Sequence, residues 1–357
     1  MAPFSERMST ETTAAAFLSP DPYRSKAIAV LEREHYAARF WHPVAAAADL
    51  PPGHVRAVEL LGQPILLCHG SDGIVRAFHN RCPHRAVAFR KPAEGSVACR
   101  RLVCPYHGWT YDLAGKLLAA AREAEFLDPF DRSAWPLEAL GCRVRASLIW
   151  VAPGADPIPL DDQLDLPLQE AAAALAQPLV PLAFHGQTLS CNWKIAHDNT
   201  LDDYHVAIAH PTTLHRMQGP VRHYSHRFGT WANVLATPWL GGDAEFLTFG
   251  LPPWNHLLLW PDGRLAMIQF LPGELDSCTM QVWLLGPPER KGEGQTLMAE
   301  MVHFLAEDRE LVESAQRGYG AGFRPGPPHR LEARILHQQA IYAALLEPWY
   351  ASGRIPR

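Results

Sequence analysis

Four side chains come first. Cys82-Pro83-His84 and Cys104-Pro105-Tyr106-His107 make two Cys/His pairs, in the order C-x-H-x19-C-x2-H. Two thiolates and two imidazoles can fill four metal coordination positions. If the two Cys bind one iron of a [2Fe–2S] cluster and the two His bind the other, neutral imidazole lowers the negative charge and raises the reduction potential. A structural zinc site fits the spacing poorly, because zinc fingers pair C-x2-4-C with H-x3-5-H. Each pair holds a proline and lies in a loop between short strand-like runs, so the ligands can converge from two hairpin tips.

A second constellation lies far downstream. Two imidazoles and one carboxylate form the facial triad of non-heme iron(II) oxygenases, which leaves positions open for O2 and substrate. His205 and His210 offer the imidazoles. Their spacing of five is not a clean helical match, since i and i+4 share a face. Pro211 ends the helix there, and a π-bulge would turn His210 inward, so an irregular helix is expected. Asp202, three residues before His205, can accept that ring's other N–H and fix its tautomer.

The carboxylate comes from a third segment. Read as a helix, residues 296–316 place Met298, Met301, Leu305, Val312 and Ala315 on one apolar stripe with a single gap, and Asp308 fills it. A carboxylate there is costly unless paired or metal-bound; the alternative to iron ligation is a buried salt bridge to an arginine. Glu307, Glu310 and Glu313 fall off the stripe and read as a solvated face. His197 and His215 flank the site as polar neighbours, while His223, His226 and His256 fall in the pocket-forming stretch without an order among them.

These residues need scaffolds. The 357 residues suffice for about two domains. A polar N-terminal stretch turns helical around 25–38. From Phe40 come short runs (Val55 to Leu60, Ile65 to Cys68, Ile74 to Phe78) punctuated by Pro51-Pro52-Gly53, Gly62-Gln63-Pro64 and Asp72-Gly73. Such spacing reads as an all-β module that closes near Ile149 to Ala152. The second half mixes a helix at about 194–209, strands between 231 and 286, the long amphipathic segment, and a last helix at about 329–346. The expected division is an N-terminal helical segment at 1–39, a cluster domain at 40–155 and a mononuclear iron domain at 156–357.

Composition excludes several classes. A net charge of −5 carries no nucleic-acid footprint. The apolar runs are too short for a membrane span, and the N-terminus, with Glu6 and Glu11, reads as neither secretory signal nor transit peptide; a cytoplasmic protein is expected. Seven scattered cysteines are no disulfide framework.

The motifs resemble the Rieske non-heme iron oxygenases, catalytic alpha subunit. Cys82-Pro83-His84-Arg85 and Cys104-Pro105-Tyr106-His107-Gly108-Trp109 look like the two cluster loops of Rieske oxygenases and ferredoxins. Val87 and Tyr106 stand where respiratory Rieske proteins usually carry extra cysteines. Trp109 and Tyr111 read as core packing. Asp202, His205 and His210 resemble the family's D-x2-H-x4-H, and Asp308 falls at its third iron ligand. The resemblance implies an α+β protein: an all-β Rieske [2Fe–2S] domain plus a helix-grip-like catalytic domain with an antiparallel β-sheet and covering helices. It implies a [2Fe–2S] cluster, Fe(II), and a ferredoxin and/or NAD(P)H-dependent reductase as electron donor. It also implies O2 and a small organic substrate, and a head-to-tail homotrimer in which Asp202 bridges His205 to His107 of an adjacent chain.

The implied activity is hydroxylation or oxidative demethylation of an aromatic or amine-type substrate. Two alternatives stand beside it: the alpha subunit of an aromatic-ring cis-dihydroxylating dioxygenase, and a non-enzymatic Rieske electron carrier, which three iron-ligand candidates argue against. The aromatic residues between 228 and 283, such as Trp239, Phe246 and Trp260, can line a pocket or cage a quaternary amine, though any one of them is more readily explained as sheet core.

Overall fold

The computed structural model describes residues 16–92 and 95–351. Most of the N-terminal stretch read for a targeting signal, including Glu6 and Glu11, lies outside the described residues. Among the described residues no helix is long and apolar enough to cross a membrane. The chain forms two compact units: residues 41–157 with 176–180, and residues 1–40, 158–175 and 181–357.

The first unit is built from short strands: β1 (His42–Ala46), β2 (His54–Leu60), β3 (Gln63–His69), β4 (Val75–His79), β5 (Ser96–Ala98), β6 (Leu102–Val103), β7 (Thr110–Tyr111), β8 (Leu117–Ala119), β9 (Ala139–Arg145) and β10 (Leu148–Ala152). One sheet runs β1-β10-β9-β4-β3-β2-β5, and a smaller one runs β6-β7-β8. The β2–β3 hairpin closes through Leu61 and Gly62, both at positive φ (55° and 74°). That conformation matches the strand twist in a two-residue turn. Cys82, Cys104, Trp109 and Tyr111 sit in one buried cluster with Phe78, Leu102, Leu117 and Leu137. The two aromatics are core residues, as expected.

The second unit holds β11 (Val180–Leu189), β12 (Ser225–Phe228), β13 (Asn233–Pro238), β14 (Glu245–Leu251), β15 (Asn255–Leu259), β16 (Leu265–Pro272) and β17 (Cys278–Gly286), in the order β11-β17-β16-β15-β14-β13-β12. From β12 to β17 each strand is antiparallel to the next. The helices are α1 (Lys26–Leu31), α2 (Leu160–Gln163), α3 (Asp165–Leu175), α4 (Trp193–Leu201), α5 (Val206–Ala209), α6 (Leu214–Gln218), α7 (Gly294–Gly320) and α8 (Ala333–Ala351). α4 packs on β15 and β16, α8 packs on β12 to β14, and α4 touches both α7 and α8. The architecture is therefore the expected α+β one, antiparallel sheets with covering helices.

The N-terminal segment packs into this second unit. Beyond α1 the chain winds on through residues 32–39. Glu32, 1% exposed, accepts hydrogen bonds from Trp193 Nε1 (2.9 Å), Lys194 Nζ (2.6 Å) and Tyr342 Oη (2.6 Å). Burying Glu32 and Lys194 is tolerable only because each is paired and hydrogen-bonded. The cluster ties the segment to the start of α4, the helix that leads into the second constellation.

Candidate metal centres

The two Cys/His loops fold alike. In the first, Cys82 N–H donates to Val87 O (2.9 Å) and Cys82 O accepts from Ala86 N–H (2.8 Å). In the second, Cys104 N–H donates to Trp109 O (2.8 Å) and Cys104 O accepts from Gly108 N–H (3.0 Å). Each loop needs a left-handed residue four positions after its cysteine: Ala86 at φ 57° and Gly108 at φ 70°. Glycine takes that conformation freely and alanine at a cost. Asn80, buried and unremarked in the sequence, pins the first loop by donating to Arg90 O (2.7 Å) and accepting from Phe89 N–H (3.0 Å).

The donors converge. Cys82 and Cys104 are buried side by side; burial raises the Cys82 thiol above its usual pKa, the His84 N–H opposes, and the Cys104 sulfur adds to the rise. The His84 and His107 rings lie 4.6 Å apart. Trp109 stacks on His84 at 4.9 Å and Tyr106 on His107 at 3.8 Å. His84 Nδ1 is buried with no hydrogen-bond partner among the described residues, an arrangement that is costly unless a metal satisfies the nitrogen. Two adjoining thiols with two imidazoles facing outward are a donor set that a [2Fe–2S] cluster can use.

The second centre depends on a broken helix. The expected single irregular helix over 194–209 is interrupted completely. α4, capped by the Asn192 side chain on Lys194 N, ends at Leu201, and Asp202 turns extended (φ −86°, ψ 104°). The Asp202 carboxylate then accepts from Tyr204 N (2.8 Å) and closes a local turn. His205 and His210 flank the four-residue α5, one before it and one after. The break replaces the π-bulge: the two rings come from opposite ends of a single turn, so the spacing of five no longer points them apart.

Asp203 explains why the break holds. In extended chain its side chain faces away from Asp202 and pairs with the fully buried Arg334 of α8 (3.1 Å) and with His226 Nε2 (2.8 Å). Arg334 also donates to Asn233 Oδ1 and Thr248 O, both at 2.9 Å. Nothing local in the sequence marks this network, since Asp203 and Arg334 are 131 residues apart.

Asp308 completes the group from α7. His205 Nε2, His210 Nε2 and Asp308 Oδ1 all face one point: Nε2 to Nε2 is 3.2 Å, and Asp308 Oδ1 lies 3.3 Å from His205 and 3.0 Å from His210. With metal bonds of about 2.1 Å, such separations subtend roughly 90–105°, the angles of a facial arrangement. Burial works against an imidazolium at His205, yet Asp202 and Asp308 outweigh it and hold its pKa up at about 10. Burial likewise disfavours the Asp308 carboxylate, but hydrogen bonds from His205 and His210 keep its pKa below the usual value. The pocket is thus built around positive charge, and the three groups can hold a metal ion. No arginine side chain pairs with Asp308 among the described residues.

Two expectations change here. Glu307, read as part of a solvated face, accepts from His210 Nδ1 and from Thr213 Oγ1, both at 2.6 Å. Asp202 does not accept the expected hydrogen bond from the His205 ring. Its Oδ2 comes within 3.3 Å of His205 Nδ1, but the ring N–H is not aligned for a hydrogen bond.

The three groups border a cavity of about 60 Å³. Its walls mix aliphatic side chains (Val206, Leu214, Leu235, Leu258, Ile268, Leu305) and the rings of Phe246 and Phe304 with polar groups such as Gln218, Thr248 and the buried His256. The sheet positions follow the period of two: Leu235, Thr248 and Leu258 sit opposite one another on β13, β14 and β15. Burial drives the His256 pKa well down and keeps the ring neutral. His197 Nε2–H donates to Asn255 O (3.3 Å), and the ring's pKa is likewise depressed by burial, to about 4. Leu214, Phe246 and Phe304 are shared with a second cavity of about 230 Å³ that adds Trp239 and Trp260. Phe249, Trp254 and Phe270 are sheet core. On its other side Asp202 borders a wider, open cavity of about 670 Å³ walled by Tyr204, His329 and Pro325 to Pro328.

Comparison with known proteins agrees with both halves. Residues 40–130 match the Rieske [2Fe-2S] domain, and residues 175–348 match the ring hydroxylating alpha subunit (catalytic domain). The carnitine monooxygenase oxygenase subunit of Escherichia coli K12 is 30% identical, over 80% of each chain. The chain belongs to the Rieske non-heme iron oxygenases. The glycine betaine monooxygenase oxygenase subunit of Chromohalobacter salexigens is 25% identical, over 87% of this chain and 81% of that one. In fold, this Rieske oxygenase resembles the quaternary ammonium Rieske monooxygenase CntA (TM-score 0.83, 24% identity, 93% and 96% of the chains). It also resembles naphthalene 1,2-dioxygenase from Rhodococcus sp. (TM-score 0.73, 16% identity, 93% and 95%). The protein is therefore an oxidoreductase with a [2Fe–2S] cluster and a mononuclear Fe(II). It uses O2 and electrons from a reductase partner to oxidise a small organic substrate.

Proposed function

We propose that Cys82, His84, Cys104 and His107 hold the cluster, that His205, His210 and Asp308 hold the iron, and that the substrate presents an N-methyl group on a quaternary ammonium. The observation that carries the reading is the convergence of His205 Nε2, His210 Nε2 and Asp308 Oδ1 at the wall of a mostly apolar cavity. When bound, the cluster supplies electrons and the iron supplies O2 activation. The protein residues orient and exclude. Leu214, Leu235, Leu258 and Ile268 would keep water from the reacting carbon, and Phe246 and Phe304 line the same cavity, where aromatic rings can attract a trimethylammonium head. Hydroxylation of a methyl takes O2, two electrons and two protons and releases water. The N–CH2OH product then loses formaldehyde and a proton to leave the tertiary amine. The substrate class is supported by relatives named for carnitine and glycine betaine.

Asp202 is the proposed electron bridge. It reaches His205 on one side and the open 670 Å³ cavity on the other, where His107 of an adjacent chain would dock in a head-to-tail homotrimer. The donor to the cluster is proposed to be a ferredoxin and/or an NAD(P)H-dependent reductase, with the whole system in the cytoplasm. The proposed domains are 1–39 for the N-terminal segment, 40–155 for the cluster and 156–357 for the iron.

A second reading, oxidation of a neutral ring including cis-dihydroxylation, is favoured by the aliphatic side chains that line the cavity, Leu214, Leu235, Leu258 and Ile268 among them. One experiment separates them. The protein, reconstituted with cluster and Fe(II), is supplied with a reductase and NADH and offered trimethylammonium compounds beside neutral aromatics of similar size. Formaldehyde with matching O2 uptake from the ammonium compounds is expected. A diol from the aromatics, with no formaldehyde from the ammonium set, would install the second reading.

A further inference from the structure

His210 is held at both ring nitrogens by adjacent residues of one helix. Asp308 Oδ1 lies 3.0 Å from Nε2, and Glu307 Oε2 lies 2.6 Å from Nδ1. Successive residues on α7 are turned by about 100°, enough for neighbouring carboxylates to grip the two edges of one ring. The ring is 1% exposed and Glu307 24%, so the Glu307 contact lies at the margin of the buried site. The same Oε2 also accepts from Thr213 Oγ1 at 2.6 Å, which fixes how the carboxylate is presented. His205 has no such support: its Asp202 neighbour is at 3.3 Å and out of line.

We infer that Glu307, anchored by Thr213, is a positioning residue for the mononuclear iron: it fixes His210 with the proton on Nδ1 and makes Nε2 a stronger donor to the metal. The inference rests on the proposed ligand set. A carboxylate on the far nitrogen of a ligating histidine orients the ring and raises its basicity, and its loss typically weakens metal binding 10–100-fold. Thr213 immediately precedes α6, whose Leu214 and Gln218 border the iron cavity. Glu307 therefore joins the metal ligand to the segment that a bound substrate would press on.

The test uses the full chain with its cluster in place. Fe(II) affinity is measured against a competing chelator for wild type, Glu307→Ala, Glu307→Gln, Thr213→Val and His210→Ala, with the midpoint potential of the mononuclear iron as a second readout. Glu307→Ala is expected to bind Fe(II) 10–100-fold more weakly. Glu307→Gln keeps an acceptor and its shape but loses the charge, so its affinity falls less while the iron potential moves upward. Thr213→Val shifts both readouts in the same direction by less than Glu307→Ala. His210→Ala should lose the iron. If His210→Ala loses it while Glu307→Ala and Glu307→Gln keep wild-type affinity and potential, the positioning role is wrong and the ligand set stands. If His210→Ala binds Fe(II) like wild type, the ligand set itself is wrong and the inference goes with it. Should Glu307→Ala not fold, the potential of Glu307→Gln decides alone.

Discussion

Replacing Asp308 by Asn keeps the shape of the proposed third iron ligand and removes its charge. The structure sets the scale. Despite burial, Asp202 and Asp308 together lift His205 from 6.5 to about 10, about 5 kcal/mol of net attraction for one positive charge. If Asp308 supplies half, its carboxylate is worth about 2–3 kcal/mol per unit of positive charge, and roughly twice that for a divalent ion. Asp308→Asn should therefore weaken Fe(II) binding by about 10²- to 10⁴-fold. The assay is Fe(II) competition against a chelator, with the visible absorbance of the cluster as an internal control for folding. Asp202→Asn is the counterpart. Asp202 stands equally close to His205, at 3.3 Å, but on the Nδ1 side. That variant should keep cluster and iron, with affinity down by no more than about 100-fold, while turnover collapses. An Asp308→Asn protein that binds Fe(II) within tenfold of wild type would refute the electrostatic reasoning and the ligand assignment together.

Three further outcomes follow from other parts of the molecule. Burial pushes the Asp198 pKa up to about 7, against hydrogen bonds from Gln339 (2.8 Å) and Tyr23 (3.1 Å); a carboxyl raised above its ordinary value of 3.8 contributes stability that is present below about pH 4 and lost as pH rises through about 7. Asp198→Asn should therefore gain on wild type in urea unfolding between pH 5 and pH 8, by about 2–3 kcal/mol, and a gap that does not change with pH would count against the shift. Arg334→Met leaves Asp203 buried without its main partner, so urea unfolding should show a loss of about 3–5 kcal/mol; a loss below about 1 kcal/mol would mean that the 202–205 break does not depend on this pair. Gly108→Ala forces alanine into the left-handed conformation of the second cluster loop, which costs about 1–2 kcal/mol, and should lower both the melting temperature and the cluster content, whereas Ala86→Gly in the matching first loop should lower neither.

Residue type and spacing carried the chemistry. C-x-H and C-x2-H read as cluster loops because few other metal sites use that spacing. Asp308 stood out because a carboxylate interrupts an otherwise apolar helical period. The runs around β2, β3, β4 and α7 were legible for the same reason, since periods of two and of 3.6 are local properties. Other features needed the tertiary structure. The break after Leu201 is held by Asp203 on Arg334, a pair 131 residues apart, and no local pattern could replace the expected π-bulge with it. Glu307 sits off the apolar stripe and looked solvated; only the fold brings His210 and Thr213 within 2.6 Å of it. The walls of the iron cavity come from β13 to β16, α6 and α7, and the choice of which aromatics face it was likewise a matter of packing. The sequence by itself thus determined which donor groups this chain can offer to a metal, because donor chemistry belongs to single residues. How those side chains are aimed, supported and walled in was decided by contacts across the chain.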